Sequence, residues 1–305
     1  MTTPDVLKKI YKPIDLDLRA ISREIRTSLW NSHRIFIPYN RFIFDVVSGG
    51  KKIRPALVLL SAGMIRNGNK GARHKETIIL GTAVELVHTA SLVHDDIIDA
   101  AELRRGKMTI NKKWDNHVAI LIGDYLYSKA FHMIQRINNR KVVNKLIQAG
   151  LSICLGELAQ VQQRNRSVTP QRYMDIIENK TASLLAACCE TSAVLNGAPP
   201  RQVEALKTFG LSFGIAFQLI DDCLDVVGKE HKLGKSLQID RRNGEITFAN
   251  PQSADSIVQK QVRVNKSFRQ AQKYLRQAIR ALEVVPSSAY KESLIGLIEF
   301  VFGQI

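Results

Sequence analysis

Glycine and proline are scarce in this 305-residue chain, at 18 and 9, which disfavours an all-β protein with its frequent turns. No window alternates β-branched residues, and no Asn-Gly hairpin joins two such windows, so no sheet is expected. The four cysteines, Cys154, Cys188, Cys189 and Cys223, have neither CxxC nor zinc-ligand spacing, and all fall in apolar helical stretches. They read as buried, reduced thiols of a cytoplasmic protein. The opening residues, MTTPDVLKKIYKP, lack the apolar core of a secretion signal. The longest apolar run, roughly 77–94, is interrupted by Glu85 and His88. It is too short to span a bilayer comfortably and is expected as a core helix. Missing too are an RNP aromatic pair, a GXXG clamp and a zinc finger, so no nucleic-acid partner is expected. That absence matters because 44 basic residues face 28 acidic ones, a formal net charge of +16.

Hydrophobic residues make up 45% of the chain, enough for a sizeable core, and the charged fraction of 24% is ordinary for a soluble protein. Apolar residues recur with helical period over 6–29, 42–47, 53–64, 77–94, 117–137, 141–163, 172–195, 203–227, 267–282 and 289–302. The breaks carry stop signals: Gly49-Gly50, the stretch 67–71, 167–170, and Asn196-Gly197-Ala198-Pro199-Pro200, with glycine where a helix C-terminus wants it. No Ser/Gly/Pro-rich linker divides the chain, and a single all-α domain is the economical expectation. The basic excess concentrates late. Arg241, Arg242, Lys260, Arg263, Lys266, Arg269, Lys273, Arg276 and Arg280 are opposed there only by Glu245 and Asp255. A solvated basic helix face and a peripheral contact with an anionic membrane both fit.

Two aspartate triplets stand out against this background. Asp95, Asp96 and Asp99 form HDDIID, and Asp221, Asp222 and Asp225 form IDDCLD, each closing a long apolar run. Residues i and i+4 share a helix face, so Asp95 and Asp99 point together, as do Asp221 and Asp225. Carboxylates so placed repel one another, and six of them at the ends of buried helices make sense if a cation neutralises them. Magnesium suits: it takes one or two carboxylates per ion and completes its shell with water and phosphate oxygens. Facing helices of a bundle are where helical proteins build such sites. Basic elements accompany the acids. Lys51 and Arg54 sit in GGKKIRP, Arg104-Arg105-Gly106 follows the first triplet, Lys180-Thr181 follows a helical stretch, and Lys235 follows the second triplet. Arginine forks suit phosphate. His88 lies two turns before Asp95 on the same face, and Gln218, three residues before Asp221, presents an amide dipole.

The ordered set GGKxxRP, HxxxxxHDDxxDxxxxRRG, GD, KT, GxxFQxxDD and xxDxxGKxxxxD resembles the trans-isoprenyl (polyprenyl) diphosphate synthase family, most like its long-chain, octaprenyl-type members. The resemblance implies one synthase domain over 1–305, strong over about 39–240 and shortened and divergent over 241–305. It implies an all-α antiparallel helix bundle of the isoprenoid synthase type around a central active-site cavity. The implied activity is magnesium-dependent condensation of isopentenyl diphosphate with an allylic diphosphate of farnesyl or geranylgeranyl type, by a homodimer with each active site inside one subunit. By the same resemblance Asp95, Asp99 and Asp221 ligate magnesium, while Asp96, Asp222 and Asp225 act directly or through water. Arg104, Lys180 and Lys235 hold the allylic diphosphate; Lys51, Arg54, His88 and Arg105 hold isopentenyl diphosphate; Thr181 and Gln218 border the developing cation.

Product length in such enzymes is set below the first triplet. Ala90 and Ser91 occupy the positions where short-chain members place a bulky aromatic, with Leu86, Val87, Thr82 and Ala83 deeper. Each helical turn of about 5.4 Å matches roughly one isoprene unit, so the open floor implies a long product of about seven to nine units, as used for quinone side chains. The competing reading is that small residues permit close helix packing and another helix closes the tunnel. Three departures stand against the family pattern: Glu245 where a phosphate-facing lysine is expected, a stretch after Thr247 about forty residues and two helices short, and no basic tail after FVFGQI. They keep two other readings open, a non-catalytic or weakly active partner subunit of a heteromeric synthase, and a terpene cyclase on the same fold. Intact Lys51, Arg54 and Arg105, anchors for a second diphosphate, count against the cyclase.

Overall fold

Helices account for nearly all regular structure in the computed structural model, which describes residues 3–30, 34–67, 71–164, 168–231 and 257–303; side chains at 3, 4, 225–231 and 257–263 lie outside the description. The helices are α1 (Thr3–Ile10), α2 (Asp15–Trp30), α3 (Ile37–Ser48), α4 (Ile53–Ile65), α5 (His74–Ile98), α6 (Ile110–Lys113), α7 (Asn116–Ile134), α8 (Arg140–Gln162), α9 (Pro170–Ile177), α10 (Ser183–Leu195), α11 (Pro200–His231), α12 (Ile257–Ala281) and α13 (Ala289–Phe302). Among the described residues the only strands are β1 (Leu103–Arg104) and β2 (Lys107–Met108), an antiparallel hairpin. The chain falls into two compact units, one formed by residues 1–144 and 191–198, the other by 145–190 and 199–305.

The first unit is organised around α5, which packs against α2, α3, α4 and α7. α2 contributes the stripe Ile21, Ile25 and Leu29, all buried and four residues apart. α4 is apolar all round and almost wholly enclosed. Gly81 lets α2 close on α5: a Cβ there would sit 2.5 Å from the Ile21 Cδ1. At 25 residues α5 is long and apolar enough to cross a bilayer, as are α8 and α11, so the expectation that the 77–94 run is too short fails on length. Its apolar window is nonetheless 78% buried within the protein, and the core-helix reading holds on burial.

The second unit is built on α11, which packs against α9, the residues between α9 and α10, and α12. Phe209 and Phe213, fully buried and stacked with centroids 5.9 Å apart, anchor it. Each such side chain is worth about 1.5–3 kcal/mol of burial. Gly210 and Gly214 bring α11 against α10 and the preceding turn; Cβ atoms there would meet Leu185 O at 2.6 Å and Ala182 Cα at 2.6 Å.

Three local features differ from the sequence expectations. The first helical run breaks at Tyr11-Lys12-Pro13, where a short 3-10 turn separates α1 from α2 because proline fits only a helix's opening turn. The 172–195 run is interrupted by a π-helical turn, Glu178–Ala182. Arg104 belongs to a hairpin whose turn residues Arg105 and Gly106 both have positive φ (53° and 75°), the backbone that two-residue hairpin turns require. Cys188, Cys189 and Cys223 are buried free thiols as expected, but Cys154 is exposed, being on the outer face of α8. The break at 196–200 forms as read, with Gly197 at φ 76° and Pro200 opening α11. Asp240, Arg241, Arg242, Glu245 and the shortened stretch lie outside the described residues, as does Lys235.

Candidate active site

In the first unit the chain gathers an acidic and a basic group around the end of α5. Asp95 and Asp96 occupy its last turn, and Asp99 caps it, donating its backbone N–H to Asp95 O at 2.8 Å. Carboxylates at a helix C-terminus meet the negative end of the dipole and lose about 0.3–1 kcal/mol each, so this placement favours whatever brings a cation. The carboxylates are not equivalent. Asp96 is buried and accepts from Arg104 Nε at 2.7 Å, whereas Asp95 and Asp99 are half-exposed. Burial raises the Asp96 pKa above the usual carboxylate value, opposed by the Arg104 guanidinium and assisted by the Asp99 charge. Asp96 is therefore committed to orienting Arg104.

Four cations surround His88. The partly exposed imidazole is held well below its ordinary pKa, first by desolvation, then by the positive charge of Arg54, Arg105, Arg104 and Lys52. His88 is thus neutral, a hydrogen-bonding group amid fixed positive charges. Backbone geometry builds the cluster. Gly50, at φ 85°, is where the Arg105 guanidinium rests; a Cβ there would fall 2.4 Å from Nη1. Lys52, the residue preceding α4, is left-handed at φ 53°, and its ammonium donates to Glu85 Oε1 at 3.0 Å and to the Val47 carbonyl. Strained non-glycine residues of this kind persist where surroundings over-determine them, often at functional sites. Sequence reasoning named Lys51 and missed Lys52 and Glu85; the Lys51 carbonyl accepts from Tyr11 Oη at 2.8 Å. A lone acid within a buried apolar helix, three residues before His88, was the available signal for Glu85. Ala90 is fully buried, and half-buried Ser91 donates its hydroxyl to the His88 carbonyl at 2.8 Å.

The second unit holds the remaining residues. Lys180 and Thr181 lie in the π-helical turn, a rare element found mostly at functional sites. Gly156 of α8 admits that turn, since a Cβ there would sit 2.5 Å from the Lys180 backbone nitrogen. The Lys180 ammonium is ion-paired to Glu157 and donates to Gln160 Oε1 at 3.2 Å. A continuous relay runs from Thr181 Oγ1 to Gln218 Oε1 (2.8 Å), then from Gln218 Nε2 to Asp222 Oδ1 (2.9 Å), with the Tyr173 hydroxyl donating to Asp222 Oδ2. Burial and the Asp222 charge raise the Tyr173 pKa, keeping that hydroxyl a donor. Asp222 is buried and doubly held, while Asp221 faces outward. Asp225 lies in α11, its side chain outside the description. Glu157, Gln160 and Tyr173 went unread in the sequence; a lone acid followed three residues later by glutamine, in a stretch (146–161) with no other charge, was the clue to the first two.

Among the described residues no three His, Cys, Asp or Glu side chains form a group able to hold an ion unaided. The donors nevertheless fit a hard divalent cation, with shell positions left to water and phosphate: Asp95 and Asp99 lie at the end of α5, whereas the second triplet, expected at a helix end, sits inside α11, which continues to His231. Within the first unit, the cations around a neutral histidine beside Asp95 and Asp99 make an arrangement suited to a polyanion.

Comparison with known proteins agrees. The polyprenyl synthetase family model matches residues 39–284, starting where the strong resemblance was expected to start and running beyond residue 240. The chain belongs to that family, whose members are prenyltransferases. It is 31% identical to heptaprenyl diphosphate synthase component 2 of Bacillus subtilis (strain 168), over 96% of this chain and 90% of that one. It is 31% identical to octaprenyl diphosphate synthase of Escherichia coli (strain K12), over 95% and 97%. Among solved structures, the polyprenyl synthase of Caulobacter crescentus CB15, complexed with calcium and isoprenyl diphosphate, superposes with a TM-score of 0.84 at 28% identity, covering 97% of each chain. The decaprenyl diphosphate synthase of Rhodobacter capsulatus gives 0.83 at 28%, over 98% and 99%. The all-α isoprenoid synthase fold follows.

Proposed function

We propose that this chain is an active synthase that condenses isopentenyl diphosphate with a farnesyl- or geranylgeranyl-type diphosphate, giving an all-trans polyprenyl diphosphate of about seven to nine isoprene units at roughly one unit per helical turn. The observation that carries the reading is the cluster of Lys52, Arg54, Arg104 and Arg105 around neutral His88, at the end of the helix that bears Asp95. Lys52 is paired with Glu85 and Arg104 with Asp96, and the positive charge that remains around His88 is suited to a diphosphate. Arg54, Arg105 and His88 hold isopentenyl diphosphate, the first two by charge and the third as a neutral donor. Lys51 lies beside them. Arg104, oriented by Asp96, and Lys180, oriented by Glu157 and Gln160, take the allylic diphosphate with Lys235.

Asp95, Asp99 and Asp221, with Asp222 and Asp225 acting directly or through water, would hold magnesium, which when bound would supply Lewis-acid neutralisation of the leaving diphosphate. Ionisation leaves an allylic cation that must meet the isopentenyl double bond before it meets water; Thr181 and Gln218, held to each other by a hydrogen bond, border it while apolar helices exclude solvent. The new carbon–carbon bond leaves a tertiary cation, and the departed diphosphate accepts the proton whose loss forms the trans double bond. The reading treats 1–305 as one synthase domain, working in the cytoplasm as a homodimer.

Purified chain with magnesium, farnesyl diphosphate and labelled isopentenyl diphosphate tests this. Labelled long-chain product should form, vanish with EDTA and return with magnesium. Asp95→Asn and Asp221→Asn should each lower kcat by about a thousandfold, roughly 4 kcal/mol of transition-state stabilisation. The name of the Bacillus subtilis relative, a component 2, motivates a second reading as one subunit of a heteromeric synthase. Inactivity alone, cured by a second subunit, would establish it, and a cyclic hydrocarbon from one substrate would make the chain a cyclase.

A further inference from the structure

The C-terminal third carries a charge pattern that the active-site reading does not use. α12 runs for 25 residues with seven lysines and arginines and no aspartate or glutamate. Five of the seven, Lys266, Arg269, Lys273, Arg276 and Arg280, follow one another at spacings of three, four, three and four, which keeps them on one helix face. All five are exposed. The opposite face buries Val264, Ser267, Ala271, Leu275 and Ala278, so packing fixes the helix's rotation and presents the cations outward as a straight row. At 1.5 Å per residue the row is about 21 Å long. Large apolar side chains border it: Ile279 is 39% exposed between Arg276 and Arg280, and Phe302 is 40% exposed with its ring 6.3 Å from that of Phe268. Glu178 lies near Tyr274, and Glu283 follows one turn past the row.

We infer that the outer face of α12 docks the enzyme on an anionic lipid surface. A flat negative plane meets a straight row of cations along its whole length, and each basic residue held near such a surface strengthens binding about fivefold. Ile279 and Phe302 sit where apolar side chains enter the headgroup boundary. A nucleic-acid backbone would use the cations but not these apolar edges, and the helix's own aromatic residues, Phe268 and Tyr274, are half-buried on its flanks and not set between the charges as platforms on which bases stack. The docking also deepens the proposed function, on which this one point rests: a polyprenyl diphosphate with a long apolar tail leaves the enzyme for lipid, not water.

Flotation of the purified full-length chain, without substrate, tests the face directly, using phosphatidylcholine vesicles with and without about 30% phosphatidylglycerol. The chain should float with the anionic vesicles, stay behind with the neutral ones, and release as salt shortens the screening length. The triple variant R269Q/K273Q/R276Q should bind anionic vesicles about a hundredfold more weakly. Its rate of prenyl transfer in detergent solution, and its helical circular dichroism, should match the parent. Equal binding to neutral vesicles, an unweakened triple variant, or a chain that prefers single-stranded RNA over anionic vesicles would each overturn the inference. Because binding is read without turnover, failure here leaves the synthase assay untouched, and an inactive chain that floats leaves the docking face standing.

Discussion

Gly50 and His88 show how single positions shape the site. Gly50 combines a positive φ with the Arg105 guanidinium pressed on its Cα. Gly50→Ala should therefore cost about 1–2 kcal/mol of stability from backbone strain alone, read by urea denaturation. It should also displace Arg105 and raise the KM for isopentenyl diphosphate about tenfold, about 1.4 kcal/mol of binding. Gly71→Ala, at a glycine with open space around it, serves as the neutral control. His88 makes a prediction about pH. Its pKa is depressed in the fold and returns to about 6.5 on unfolding. Below pH 6.5 the unfolded chain takes up a proton that the folded chain refuses, so stability falls as pH drops through that window and recovers as it rises. His88→Gln should flatten this acid limb in thermal melts recorded across pH; an unchanged limb would mean another group causes it. The triplets and both arginines were legible as residues because their order is rare. Lys52, Tyr173 and Glu157 were not, because each acts only through a partner distant in sequence: Glu85, Asp222 and Lys180.

At the level of elements, helical period located nearly every helix, since a buried stripe at 3.6-residue spacing survives in the sequence whatever it packs against. What escaped was decided elsewhere. The π turn at 178–182 depends on the close approach of Gly156 and Gly214, which sit on other helices. The hairpin at 103–108 has two-residue strands, too short for any alternation to show. Its turn chemistry was present, however, in a glycine following the paired arginines. The element with the sharpest functional consequence is α5. Ala90 is completely buried and one turn below sit Leu86 and Val87, so bulk added at 90 or 91 enters the helix's packed side or the path of a growing chain. Ala90→Phe and Ser91→Phe should shorten the product by several isoprene units, at about one unit per 5.4 Å turn, as resolved by chromatography of the dephosphorylated alcohols. If Ala90→Phe instead lowers the melting temperature and leaves chain length alone, the small residues serve helix packing and the floor lies on another element.

For the whole molecule, net charge and composition revealed a cationic protein but not where charge and apolar surface emerge, because both depend on how each helix is rotated by its packing. α8 illustrates this. Its sequence reads as one more core helix, yet Ile147, Leu151, Leu155, Leu158 and Val161 are 40–61% exposed, and its apolar window is only 33% buried. The sole charged residue from 147 to 161, Glu157, is tied to Lys180. A continuous apolar face without charge is characteristic of association surfaces. In the homodimer proposed above, a second copy would present the same face and close a two-fold interface with identical chemistry on both sides. Burying each leucine on that face contributes about 1.5–3 kcal/mol. Leu155→Glu removes one such contribution from each copy and sets two carboxylates near the axis of a symmetric pair. Its dimer dissociation constant should rise at least a hundredfold, about 2.7 kcal/mol, with sedimentation equilibrium as the measurement. Leu16→Glu, at a still more exposed leucine on α2, should leave the constant unchanged. A parent chain that sediments as a monomer, or a Leu155→Glu dimer as tight as the parent, would return this face to another occupant: the second subunit of a heteromeric synthase.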